Sequence, residues 1–99
     1  MNHSPATKPI VYNVTITNAN TEYNKALPEN TRILEIRAQN TTSDVRFAYE
    51  TGKVATPTAP YRTIYAGEVK TLDELNLTSK TLYFASPTAG TIIEIECWT

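Results

Sequence analysis

The strongest constraint on this chain is an alternation of period two that runs through almost all of it. In IVYNVTIT (10–17), Ile10, Tyr12, Val14 and Ile16 alternate with Val11, Asn13, Thr15 and Thr17. In TRILEIRAQN (31–40), Leu34, Ile36 and Ala38 share one face, and Glu35, Arg37 and Gln39 the other. VRFAYET (45–51) sets Val45, Phe47 and Tyr49 against Arg46, Ala48 and Glu50. Successive side chains of a strand point to opposite sides of a sheet, so this pattern describes strands with one buried face and one wet face. A helix needs apolar residues three and four apart, and no stretch keeps that spacing for long. A Thr-x-x-Glu capping box, Thr71 to Glu74, predicts a single helical turn at most.

Further strands are expected in TEYNKAL (21–27), YRTIYA (61–66), EVKTL (68–72), KTLYFAS (80–86) and GTIIEIECW (90–98). Turn-rich segments separate them, of which GKVATPTAP (52–60) is the longest. The pattern predicts an all-β fold, a small antiparallel β-sandwich of jelly-roll-like or Greek-key type, with about seven or eight short strands. Threonine is the commonest residue, which suits pleated, half-exposed surfaces. Residues 1–9 are polar and contain Pro5, so they are expected to form an arm; residues 10–99 are expected to form one domain. The final stretch TLYFASPTAGTIIEIECWT (81–99) is expected to be a hairpin closed by SPTAG. Its inward set is Leu82, Phe84, Ile93, Ile95 and Cys97, and its outward set includes Tyr83, Ile92 and Trp98.

Charge is balanced, with 9 basic and 10 acidic residues. That gives no electrostatic footprint for nucleic acid and no polybasic patch for a membrane. The single cysteine, Cys97, cannot make an internal disulfide, which fits a reducing compartment. MNHSPATKP has neither the apolar core nor the cleavage site of a signal peptide, and no apolar run approaches bilayer length.

The sequence offers little that could carry chemistry. The one histidine, His3, lies in the arm, and Cys97 lies on an inward face. Together they supply neither a zinc ligand set nor an activated thiol, and no cofactor motif is present. Glu94 and Glu96 share a strand face at about 7 Å, a spacing that also suits ordinary solvated strand residues. No catalytic, metal or cofactor residue is expected, and the chain is not expected to be an enzyme. What remains is surface. Tyr61, Tyr65, Tyr83, Ile92 and Trp98 are the candidate contact residues, because exposed aromatic and aliphatic groups mark places where something binds. A covering layer of the chain itself, the arm or the 52–60 loop, is the ordinary alternative.

The runs TEYNKALPENTRILEIRAQ, DVRFAYETG, YAGE and LNLTSKTLYFASPTAGTIIEIECWT resemble small virion structural proteins of tailed bacteriophages. The likeness covers most of residues 20–99 and rests on strand pattern with scattered identities. It implies a non-enzymatic capsid decoration, stabilising or minor head protein that folds in the host bacterial cytoplasm and works in the virion. It further implies a homo-oligomer whose other partner is the major capsid protein. It brings no catalytic or ligand residue. The alternative is a carbohydrate-binding module, with Tyr61, Tyr65, Tyr83 and Trp98 as a stacking platform for a glycan. On the structural reading, Trp98→Ala is expected to weaken assembly more than folding.

Overall fold

The computed structural model describes residues 8–72 and 80–99. Among these, all regular structure is β. The strands are β1 (Pro9–Ile16), β2 (Tyr23–Ala26), β3 (Ile33–Ala38), β4 (Val45–Ala48), β5 (Arg62–Ile64), β6 (Val69–Leu72), β7 (Thr81–Ala85) and β8 (Thr91–Trp98). The strand pattern begins at Pro9, so this residue belongs to the sheet and not to an arm. Thr71 of the capping box is a strand residue of β6, and its partner Glu74 lies outside the described residues.

The strands form two four-stranded antiparallel sheets, β1-β8-β3-β6 and β2-β7-β4-β5. Four of the pairings are nested: β1 with β8, β2 with β7, β3 with β6 and β4 with β5. The chain is thus one long antiparallel ribbon whose tip is the 49–61 loop. The β3–β8 and β4–β7 pairings arise when that ribbon rolls up on itself. This strand order is that of a jelly roll.

The roll corrects one sequence expectation. β7 and β8 do not form a hairpin, because β7 pairs with β2 and β4 while β8 pairs with β1 and β3. SPTAG is an arch that carries the chain from one sheet to the other. Gly90 at its end takes a φ of 81° and donates its N–H to the Ile16 carbonyl at 2.7 Å. A side chain there would strain the left-handed backbone, although space is open around it.

Both strands still face the same core from opposite sides. Leu82 and Phe84 meet Ile93, Ile95 and Cys97 across the interior, with Ile16, Leu34, Ile36, Val45, Phe47 and Ile64. Burial of each such side chain stabilises the fold by about 1.5–3 kcal/mol before entropy is charged. At the end of the sandwich where these strands turn, polar groups are satisfied internally. The buried Thr91 hydroxyl donates to the Thr88 carbonyl at 2.8 Å, 3.2 Å from the buried Ser43 hydroxyl. Ser86 donates to the Asp44 carbonyl at 2.8 Å, and the Asp44 carboxylate accepts the Ala66 N–H at 2.7 Å.

The rim between β1 and β2 holds an inward-facing charge. Lys25 on β2 is in register with inward Leu82, and its ammonium lies 4.2 Å from the centre of the Tyr12 ring of β1. A lysine aimed into the seam of two edge strands discourages pairing with another chain.

A second correction concerns β4. The expected alternation places Tyr49 inward and Ala48 outward in water. Instead the strand stops at Ala48, and Tyr49 is exposed. Ala48 does point away from the main core, yet it is buried, because the 49–61 loop folds back over it. Likewise β5 is only Arg62–Ile64, so Tyr61 and Tyr65 flank the strand and lie outside it.

Candidate contact surfaces

The outer faces of the two sheets differ. On the β2-β7-β4-β5 sheet, Val54 from the loop is fully buried against Ala48 and Ala85, with Tyr83 packed at the margin. Arg46 pins the loop from below. Its Nε donates to the Val54 carbonyl at 2.7 Å, and one Nη donates to Asn20 Oδ1 at 2.9 Å. Glu22 holds the loop's near side, accepting from the Thr51 hydroxyl at 2.7 Å and the Gly52 N–H at 2.8 Å.

On the β1-β8-β3-β6 sheet, the outward side chains of β1 are exposed and those of β3 and β8 are half-buried. The strand registers set its rows. Trp98 lies between Pro9 and Ile33 in an apolar row. Glu96 lies between Val11 and Glu35, so two carboxylate side chains stand directly opposite one another. Glu94 lies between Asn13 and Arg37, pairs with Arg37 at 3.3 Å and accepts from Gln39 at 3.3 Å. Ile92 lies beside Thr15. The C-terminal end of β8 is held on both sides: Arg32 donates its N–H to the Trp98 carbonyl at 2.8 Å, and Lys8 and Thr99 exchange backbone bonds at 3.1 and 3.4 Å.

The candidate residues are therefore dispersed. Ile92 and Trp98 share the open face but sit about 20 Å apart along β8 at the usual strand rise. Both are half-buried by their neighbours. Tyr83 is on the other sheet, half-buried beside Val54. Tyr65, 64 % exposed, leads into the β5–β6 turn, whose Gly67 has a φ of 79°. Tyr61 lines a cleft. No single surface gathers Tyr61, Tyr65, Tyr83 and Trp98.

That cleft has a volume of about 340 Å³ and is lined by Phe47, Ala48, Tyr49, Glu50, Pro60, Tyr61 and Arg62. It exists because β4 and β5 pair with Phe47 opposite Arg62, which brings 47–50 beside 60–62 at the ends of the long loop. Phe47 and Tyr49 meet edge to face, with ring centres 6.2 Å apart at 89°. Tyr49 is 44 % and Tyr61 38 % exposed. Burial raises the Tyr49 hydroxyl above its ordinary pKa, against a smaller opposite pull from the Arg62 charge. Tyr49, Pro60 and Arg62 escaped the sequence reading. The one available signal was Glu50-Thr51-Gly52, a turn-forming run directly after Tyr49.

Cys97 is fully buried, and desolvation pushes its thiol up to about 11. Among the described residues no group of three or more His, Cys, Asp or Glu could hold a metal ion, and no helix is long and apolar enough to cross a membrane. No protein-family model, curated protein or solved structure matches this chain.

Proposed function

We propose that this chain is a non-enzymatic structural protein of a bacteriophage virion, a capsid decoration or minor head protein that acts as a homo-oligomer beside the major capsid protein. The observation that carries it is the asymmetry of the sandwich. One sheet is partly covered by the chain's own loop, while the other presents an outer face with an apolar row at Pro9, Trp98 and Ile33. Such a face suits a broad, flat contact with a neighbouring subunit. The inward Lys25 turns association away from the β1–β2 rim and toward that face. The jelly-roll order supports the reading only by analogy, since capsid domains, lectins and cupins share it.

Mass spectrometry of purified virions tests the assignment directly, and absence of the chain from them ends it. Light scattering of the purified protein tests the assembly. A defined oligomer is expected, and Trp98→Ala is expected to lower its mass while circular dichroism keeps the β signature. An unchanged mass in Trp98→Ala removes the open face as the interface.

A further inference from the structure

We propose that the cleft between the end of β4 and the start of β5 is a binding site for a neutral saccharide ring. Its walls supply both things that such a ligand needs. Tyr49, Tyr61 and Pro60 are apolar surfaces of the kind on which the C–H face of a sugar ring stacks, with the buried Phe47 behind them. The lining is mostly apolar, and the residues around it include Tyr49, Glu50, Tyr61 and Arg62, whose side chains carry groups able to donate to and accept from ring hydroxyls at the rim.

The charges choose among ligands. Glu50 and Arg62 have opposite signs, so an anion or a cation would gain from one and lose to the other. A neutral polyhydroxylated ring uses both. The volume, about 340 Å³, falls at the lower end of small-molecule pockets. It is short for a proline-rich peptide, which needs a groove with successive aromatic slots along an extended chain. The site lies away from Trp98 and Ile92, so it stands or falls independently of the assembly face.

The test is a two-dimensional amide NMR titration of the full chain with glucose-based and N-acetylglucosamine-based neutral trisaccharides, and separately with a proline-rich peptide. At least one saccharide is expected to give saturable shifts at residues 47–50 and 60–62, with a Kd between about 0.1 and 10 mM. Tyr61→Ala and Tyr49→Ala should weaken binding at least about tenfold, and Tyr65→Ala should leave it unchanged. If Tyr61→Ala does not fold, Arg62→Ala, altering an exposed side chain, replaces it with the same expected loss. Absence of any cleft titration fitting a Kd at or below about 10 mM for either saccharide class, shifts located elsewhere, binding indifferent to these substitutions, or cleft shifts with the peptide alone would each overturn the proposal.

Discussion

Replacing Val54 asks whether the 49–61 loop is a structural layer or a loose connection. Val54 has no exposed surface, and its neighbours are Ala48, Ala85 and Tyr83. Val54→Ala removes two methyl-sized groups, worth about 1.6 kcal/mol of transfer energy at ~0.8 kcal/mol per buried group. Incomplete collapse of the space adds to this, giving a loss of about 2 kcal/mol. There is also a ceiling. Once the loop is weakened enough to lift off alone, further damage no longer lowers global stability, because the rest of the sandwich survives without it. A loss of about 1.5 kcal/mol or more therefore means that docking of the loop is at least that favourable. Urea unfolding followed by circular dichroism and by Trp98 fluorescence reads the loss as a midpoint shift at constant slope. Ile95→Ala, in the middle of the core, provides the scale at roughly 2–5 kcal/mol. Tyr65→Ala, at an exposed site, should stay within about 0.5 kcal/mol of the parent. Arg46→Ala should be non-additive with Val54→Ala, because Arg46 Nε holds the Val54 carbonyl. A Val54→Ala loss below about 0.5 kcal/mol would refute the picture of a docked layer.

Two further outcomes follow from the open sheet and the core. Glu35→Gln relieves the carboxylate opposition with Glu96 and should stabilise the isolated chain by about 0.2–1 kcal/mol, less at high salt; a thermal melt at low ionic strength that shows no gain contradicts the register drawn for that row. Cys97 gives an alkaline signature. Its thiol pKa is raised in the fold from an ordinary 9.0 to about 11, so between those values the unfolded chain binds fewer protons than the native one and stability falls as pH rises. Below that window the term is constant. Cys97→Ala should flatten the decline in urea midpoint above pH 9, whatever its effect on the midpoint itself, and an equally steep decline would show that other groups cause it.

The faces of the strands were legible in the sequence because period two admits one inward set once an apolar set is chosen. Leu34, Ile36, Ala38, Leu82, Phe84, Ile93, Ile95 and Cys97 are all buried as that rule requires. Pairing was not legible. A five-residue turn such as SPTAG joins adjacent strands in a hairpin or arches between sheets with the same composition, so local pattern cannot choose. Tyr49 and Ala48 went astray because what covers Ala48 comes from Val54, inside a segment that reads as pure loop. The cleft failed for a similar reason. Its walls are separated by the whole loop in sequence and meet only through the Phe47–Arg62 register. Tyr61 could be flagged as a contact aromatic and was grouped with Tyr65, Tyr83 and Trp98, whereas its companions in the cleft are Tyr49, Pro60 and Arg62.

The nested ribbon also determines how the molecule must come into being. Pro9 faces Trp98 and Ile16 faces Thr91, so among the described residues β1 has a single neighbour within its sheet, β8. On a ribosome β1 would wait for that partner until β2 to β7 had been made. Among the described residues only the β4–β5 pairing joins strands that follow one another in the chain, and even it must close the 49–61 loop. Such topology delays most of the native reward until late, favouring folding on the slow side for the chain's size. During that wait β1 is an unpaired, alternating strand. Its own defence is modest: Pro9 at the start and Asn13 and Thr15 on the outer side. Yield of soluble protein should thus depend more on expression rate and temperature than the stability of the finished sandwich would suggest.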